Sequence, residues 1–247
     1  MSWSIAIICE APADRETASA LTTRAACEAL DWMEPEYLSF RGFYPTESQL
    51  LWRDVKTLAA AKRITVSGFF RGEPASPDAH TATRALLLFE RGKDDTGSID
   101  AVFLVRDSDN DLTRRDGLNQ ARDAEPWGFP IVIGLAHTKR ECWHIAGFEP
   151  ESDAERERLA ALHQELGFHP CHSSEELTAK HDPANDRRSA KRVLRELSND
   201  DRDREYRCLQ ALPLEELSQR GQANGLADFL AELRTRLLPL FGHHPAH

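Results

Sequence analysis

The sequence lacks the features that mark several large protein classes. It has no GxxxxGK[ST] loop, so it carries no phosphate cradle of the P-loop kind. No apolar run approaches the roughly 18 residues that cross a bilayer, which leaves no membrane partner to expect. The five cysteines, Cys9, Cys27, Cys142, Cys171 and Cys208, are odd in number, far apart and never in a CxxC pair. That spacing excludes a disulfide scaffold and a zinc ribbon. The stretch "HPCHSS", with His169, Cys171 and His172, comes nearest to a soft-metal site, but no second half follows at ligand spacing; it reads as a polar loop after a helix. An excess of positive charge is missing too. Lys and Arg number 31 against 41 Asp and Glu, a net charge of −10, so the chain does not coat nucleic acid by charge alone. The opening "MSWSIAIICEAPAD" has no basic n-region and reaches an acid at Glu10, so it reads as a β-strand and not a signal peptide. The expectation is a cytoplasmic protein with free thiols.

What is present is a globular composition, 40% hydrophobic and 29% charged, on a length that suits one large domain or one domain with an appendage. Strand and helix patterns alternate over the first part. Residues 4–9, 63–72, 99–107 and 129–136 read as strands. Residues 13–30, 76–92 and 112–124 read as helices, the last weakened by Gly117. Strands joined by helices at this rhythm predict a parallel α/β sheet, covered on both faces and hence written as continuous apolar runs. Past residue 150 the strand signal stops. Residues 153–168, 188–197 and 226–241 read as helices, 180–189 as a polar break, and the last residues as a frayed tail. The expected organisation is an α/β domain over 1–150 and a helical extension over 151–247 packed on it.

One stretch raises a chemical question. "AVFLVRDSDND" runs a buried strand into Asp107, Asp109 and Asp111. Carboxylates so close repel and raise each other's pKa unless a cation sits among them. Ligands in an open parallel sheet bind off the carboxyl ends of the strands. Glu10 lies just past the first strand, the three aspartates just past the third, and Glu141 follows the fourth, with His137 and His144 on either side of it. Hard oxygen donors of this kind suit Mg²⁺ or Mn²⁺. An EF-hand loop is excluded, because positions six and twelve from Asp107 are Leu112 and Leu118. The haloacid-dehalogenase pattern fits poorly, since its D-x-D belongs on the first strand.

A second cluster is basic. In "NDRRSAKRVLREL", helical spacing puts Arg188, Lys191, Arg192 and Arg195 on one side, with Val193, Leu194 and Leu197 towards another. Such a face is either solvated or contacts phosphates.

The ordered set of "IAIICEAPADRETASAL", "ITVSGFF" and "VFLVRDSDND" resembles the Toprim domain, the catalytic core of topoisomerases and primases shared with the overcoming-lysogenization-defect nucleases. Within that group it is most similar to small stand-alone Toprim-like proteins, on "KRECWHIAGF" and "QANGLADFLAEL". Ala11 departs from the glycine that usually follows the motif glutamate. The resemblance implies a Toprim-like, Rossmann-like parallel sheet flanked by helices. It implies Glu10 as acid–base group or ligand, Asp107 and Asp109 as catalytic metal ligands, Asp111 as an auxiliary ligand and Glu141 as an extra acid, with Mg²⁺ or Mn²⁺ as cofactor. The tyrosine machinery of a topoisomerase and the modules of a primase do not fit in this length. Hydrolysis of nucleic acid, DNA before RNA, remains.

The function this resemblance implies is a metal-dependent nuclease, an anti-phage effector that works with a separate ATPase, in a chain able to form a homo-oligomer. A non-catalytic module that binds nucleic acid or a partner, and a phosphoesterase acting on small molecules, are the competing readings. Two further expectations follow. Relief of carboxylate repulsion makes Asp107→Asn at least as stable as the parent without metal, and Arg188, Lys191 and Arg192 meet the nucleic acid.

Overall fold

The computed structural model describes residues 2–66, 68–70, 72–93, 97–179 and 186–242. It is an α/β fold, a mostly parallel sheet flanked by helices, with a helical C-terminal region. Contacts group the chain into two compact units. One comprises Met1–Arg106, Asp111–Gly134 and Ala231–His247, the other Asp107–Asn110 and Leu135–Leu230. The grouping interleaves along the chain, where composition suggests a single division near residue 150. Among the described residues no helix is long and apolar enough to cross a membrane.

The first unit is built around β1 (Trp3–Cys9). Ile5 to Cys9 are completely buried, as a strand covered on both faces must be. β1 pairs in parallel with β2 (Leu38–Arg41) and, further along, with β3 (Leu50–Leu51). On its other edge β1 pairs in parallel with the strand Ala101–Asp107, in the register Ile5↔Ala101 to Ile8↔Leu104. The strand Ile131–Ala136 lies beyond that one. Helix α1 (Pro12–Ala29) follows β1 at once. Proline at its first position is pre-set for the turn, and Asp14 accepts hydrogen bonds from the backbone N–H groups of Glu10 (3.1 Å) and Ala11 (2.9 Å). Its buried face carries Ala18, Leu21 and Ala25, as the spacing predicts. Helix α2 (Trp52–Ala61) and helix α3 (Ala79–Arg91) bury Trp52, Val55, Leu86 and Phe89. Helix α4 (Arg114–Arg122) needs its glycine. A Cβ on Gly117 would stand 1.6 Å from the carbonyl oxygen of Pro77, so the two backbones approach as only glycine allows.

The expected second strand, 63–72, is corrected. Ser67 and Arg71 lie outside the described residues; among the rest, Phe69–Phe70 pairs antiparallel with Glu73–Pro74 in a separate two-stranded sheet. Arg63 turns left-handed (φ 55°) just past helix α2, and Gly68 and Gly72, the latter at φ 89°, bracket the two phenylalanines. β-favouring side chains here supply too short an uninterrupted run to enter the main sheet. The strands that flank β1 come instead from "LSFR" and "LL".

The second unit is mostly helical. Helix α5 spans Glu141–Ala146, α6 Asp153–Leu166, α7 Ala190–Ser198, α8 Arg202–Cys208 and α9 Leu214–Arg220. The apolar faces of α5 to α8 meet in one core containing Cys142, Ile145, Phe148, Leu162, Val193, Leu197 and Cys208. The helices expected at 153–168 and 188–197 are present. Residues 180–185 of the expected polar break, and the tail from 243, lie outside the described residues.

Candidate active site at the end of the Asp107 strand

The strand Ala101–Asp107 stops at its first carboxylate, and the chain then turns sharply. Asp109 and Asn110 both adopt left-handed backbone, at φ 50° and 69°. Asp and Asn tolerate that region better than other non-glycine residues. The turn is tied by backbone bonds from Ser108 N–H to Ala136 (2.8 Å) and from Asp109 N–H to Thr138 (3.2 Å).

The cation that the crowded aspartates require is a lysine. The ammonium of Lys139 lies 3.2 Å from Asp107 Oδ2 and 2.5 Å from Asp109 Oδ1. Lys139 is 5% exposed and Asp107 8%, whereas a third of the Asp109 side chain reaches solvent. Burial pulls the Lys139 pKa down, but the hydrogen bond and charge of Asp109 and the charge of Asp107 outweigh it, and the net shift is upward. Asp107 Oδ1 also accepts the backbone N–H of Arg140 at 2.8 Å. Both carboxylates of the D-x-D pair therefore converge on one positive centre.

Glu141 opens helix α5 and is 7% exposed. Arg140 Nη2 lies 3.4 Å from it, and Arg140 Nη1 lies 2.9 Å from His144 Nε2. His144 Nδ1 lies 2.9 Å from the carbonyl oxygen of Glu205. A guanidinium only donates and a carbonyl only accepts, so His144 is neutral with its proton on Nδ1. Burial first, then the charge of Arg140, pushes its pKa down to about 3. His137 accepts or donates at 2.8 Å from Ser108 Oγ. Ser108 is completely buried, so this contact braces the turn and offers no accessible nucleophile. Trp143 is core: it is 1% exposed and stacks on Phe229 at 5.2 Å.

The other expected acids have partners of their own. Asp111 accepts the backbone N–H of Thr113 (3.1 Å) and its hydroxyl (2.5 Å), the work of a turn residue leading into helix α4. Glu10, in the first unit, pairs with Arg106 (3.4 Å) and Arg114 (3.7 Å). Asp78 completes an alternating quartet, 3.0 Å from Arg106 and 3.7 Å from Arg114. Arg106 also stacks over Trp52 at 5.3 Å. Among the described residues no group of three or more His, Cys, Asp or Glu is gathered to hold a metal ion. What fits a divalent ion is narrower: two carboxylates aimed at one cation position, and magnesium is commonly held by one or two carboxylates.

Of the basic helix, Arg192 is committed. Its guanidinium makes two hydrogen bonds to Glu165, at 2.9 and 2.8 Å, and lies 3.0 Å from Glu196. Arg188 stacks over Phe168 at 5.4 Å yet stays half exposed, and Lys191 is exposed. In "HPCHSS", Cys171 is buried in the apolar core with its thiol pushed up to about 12, and the rings of His169 and His172 stack at 4.2 Å. Burial in the apolar core is what keeps the Cys171 thiol protonated.

Lys139, Arg140, Asp78 and Arg114 escaped the sequence reading. The one local signal was "TKRE": two cations placed directly after the fourth strand, at the sheet edge where the acids were expected. Comparison with protein-family models, with curated proteins and with solved structures finds no match.

Proposed function

We propose that the chain hydrolyses phosphodiester bonds in nucleic acid with the help of a divalent ion held by Asp107 and Asp109. The observation behind this reading is the convergence of those two carboxylates on a single cation position, now taken by the Lys139 ammonium. A divalent ion bound there would activate water and neutralise charge on a phosphoryl oxygen. The chain's own residues would supply the rest. The backbone N–H of Arg140 holds Asp107 in orientation, and the left-handed turn presents Asp109 towards water. Lys139 keeps a positive charge beside the pair, suited to an anionic substrate. The Toprim-like arrangement implied by the sequence motifs supports the same assignment of Asp107 and Asp109. Thermal melts in Mn²⁺ or Mg²⁺ test it: the parent gains stability with metal, and Asp107→Asn and Asp109→Asn do not. An equal metal shift in all three proteins contradicts it.

One observation favours a second reading, a non-catalytic module that binds nucleic acid or a partner. Glu10, Asp107, Asp109 and Glu141 each face a cation of the chain itself. If those pairs are permanent, no metal enters. Absence of any metal shift, together with nucleic-acid binding that needs no metal, would select this reading.

A further inference from the structure

The Lys139 side chain invites a closer question about the same site. An ammonium and a divalent ion draw on the same carboxylate lone pairs, and one position cannot hold both. Lys139 meets the D-x-D pair at 3.2 and 2.5 Å from a nearly buried position, so it fills the seat a metal would take. We infer that Lys139 is a resident counter-ion that competes with divalent metal for Asp107 and Asp109, so that metal binds as the ammonium withdraws. This rests on the reading of that pair as a metal seat.

The surroundings make such an exchange feasible. Lysine is a point charge on a flexible four-carbon stem, able to leave without moving its backbone. Arg140, the next residue, is anchored separately. Its N–H stays on Asp107, and its guanidinium stays on His144. Asp107 therefore keeps a hydrogen bond when the ammonium goes. The displaced charge remains tethered beside the site. A phosphate group there would give it a new partner, so nucleic acid and metal should strengthen each other's binding, while metal alone binds the parent weakly.

The test uses the full chain and Mn²⁺ alone, with free Mn²⁺ followed by electron paramagnetic resonance. Lys139→Met and the milder Lys139→Gln are compared with the parent, each checked for folding by circular dichroism. Competition predicts that whichever lysine variant folds binds Mn²⁺ about tenfold tighter or more, within the range usual for coupled ligands. It also predicts that adding Asp109→Asn abolishes the gain. Mn²⁺ affinity equal to or below the parent's in the folded lysine variants overturns the inference, as does an absence of Mn²⁺ binding in every protein. Cleavage of nucleic acid is read separately. Tighter Mn²⁺ binding in the variants with no cleavage by the parent would keep the competition and remove the hydrolytic reading. Cleavage by the parent with no gain in the variants would do the reverse.

Discussion

Arg204 Nε donates to Glu155 Oε1 at 2.7 Å, and both residues are buried. The guanidinium also lies over the Phe148 ring at 4.4 Å and donates through Nη2 to the carbonyl oxygen of Glu149. It links helices α6 and α8 in the second unit. Removing one partner of a buried pair strands the other charge, which is worse than never having had the pair. Glu155→Gln should therefore cost about 3 kcal/mol by denaturant unfolding, while the double variant Glu155→Leu/Arg204→Met should cost less than Glu155→Gln alone. The hydrogen bond from Arg204 holds the Glu155 pKa below its ordinary 4.5. Its stabilisation is present above that ordinary value and is lost as pH falls through the folded one. A double variant less stable than the single would show that packing, not stranded charge, governs the site.

Asp107→Asn should be less stable than the parent by about 1–3 kcal/mol without metal. This reverses the expectation from the sequence, where crowding of like charges makes the substitution harmless. Lys139 changes the sign, because it already cancels the repulsion and loses a carboxylate partner when Asp107 becomes an amide. Chemical denaturation in a chelator reads the difference. A mutant as stable as the parent would mean that Lys139 does not engage Asp107 in solution.

His144 makes stability fall in mild acid. The folded protein holds it neutral, with a pKa of about 3, against about 6.5 when unfolded. Below pH 6.5 the unfolded chain binds a proton that the folded chain refuses. Stability should drop from there towards pH 3, at about 1.4 kcal/mol per pH unit from this group. Gln in place of His144 keeps a donor and an acceptor but does not titrate, so His144→Gln should lower that slope by one proton. An unchanged slope would show that His144 is protonated in the folded state.

The basic helix divides into parts with different jobs. Arg192→Glu should destabilise by about 1 kcal/mol, because it breaks a partly exposed pair and sets a new acid beside Glu165. Lys191→Glu should leave stability unchanged, and Arg188→Glu should cost less than Arg192→Glu, because the ion pair of Arg188 with Glu176 is half exposed and its stack on Phe168 lies at the surface. If Arg188 and Lys191 meet nucleic acid, each reversal also lowers the salt slope of log affinity by about one unit. Retained affinity and slope in both would make this a solvated face.

Legibility from sequence followed burial. Ile5–Cys9 and Ala101–Leu104 are covered on both faces, so nothing interrupts their apolar runs and the strands can be read directly. "LSFR" has four residues and only Leu38 and Arg41 buried, a pattern too short to stand out, although it forms the strand beside β1. Thr65, Val66, Phe69 and Phe70 have strand composition, but backbone turns at both ends overrule propensity. The candidate site was half visible. Carboxylates announce themselves at a strand end, as Asp107 and Asp109 do. Their counter-charge lies thirty residues on, at Lys139, and no periodicity links the two; only the fold brings that ammonium to them.

Cleavage itself tests the central claim most directly. Single-stranded and duplex DNA, and RNA, are incubated with the purified chain in Mn²⁺ and again in excess chelator. Products are followed for the parent and for Asp107→Asn/Asp109→Asn. The proposal predicts strand scission by the parent that needs the metal and disappears in the double variant. Cleavage that survives the double substitution, or no cleavage of any of the three substrates with Mn²⁺ shown to be bound at Asp107 and Asp109, would contradict it.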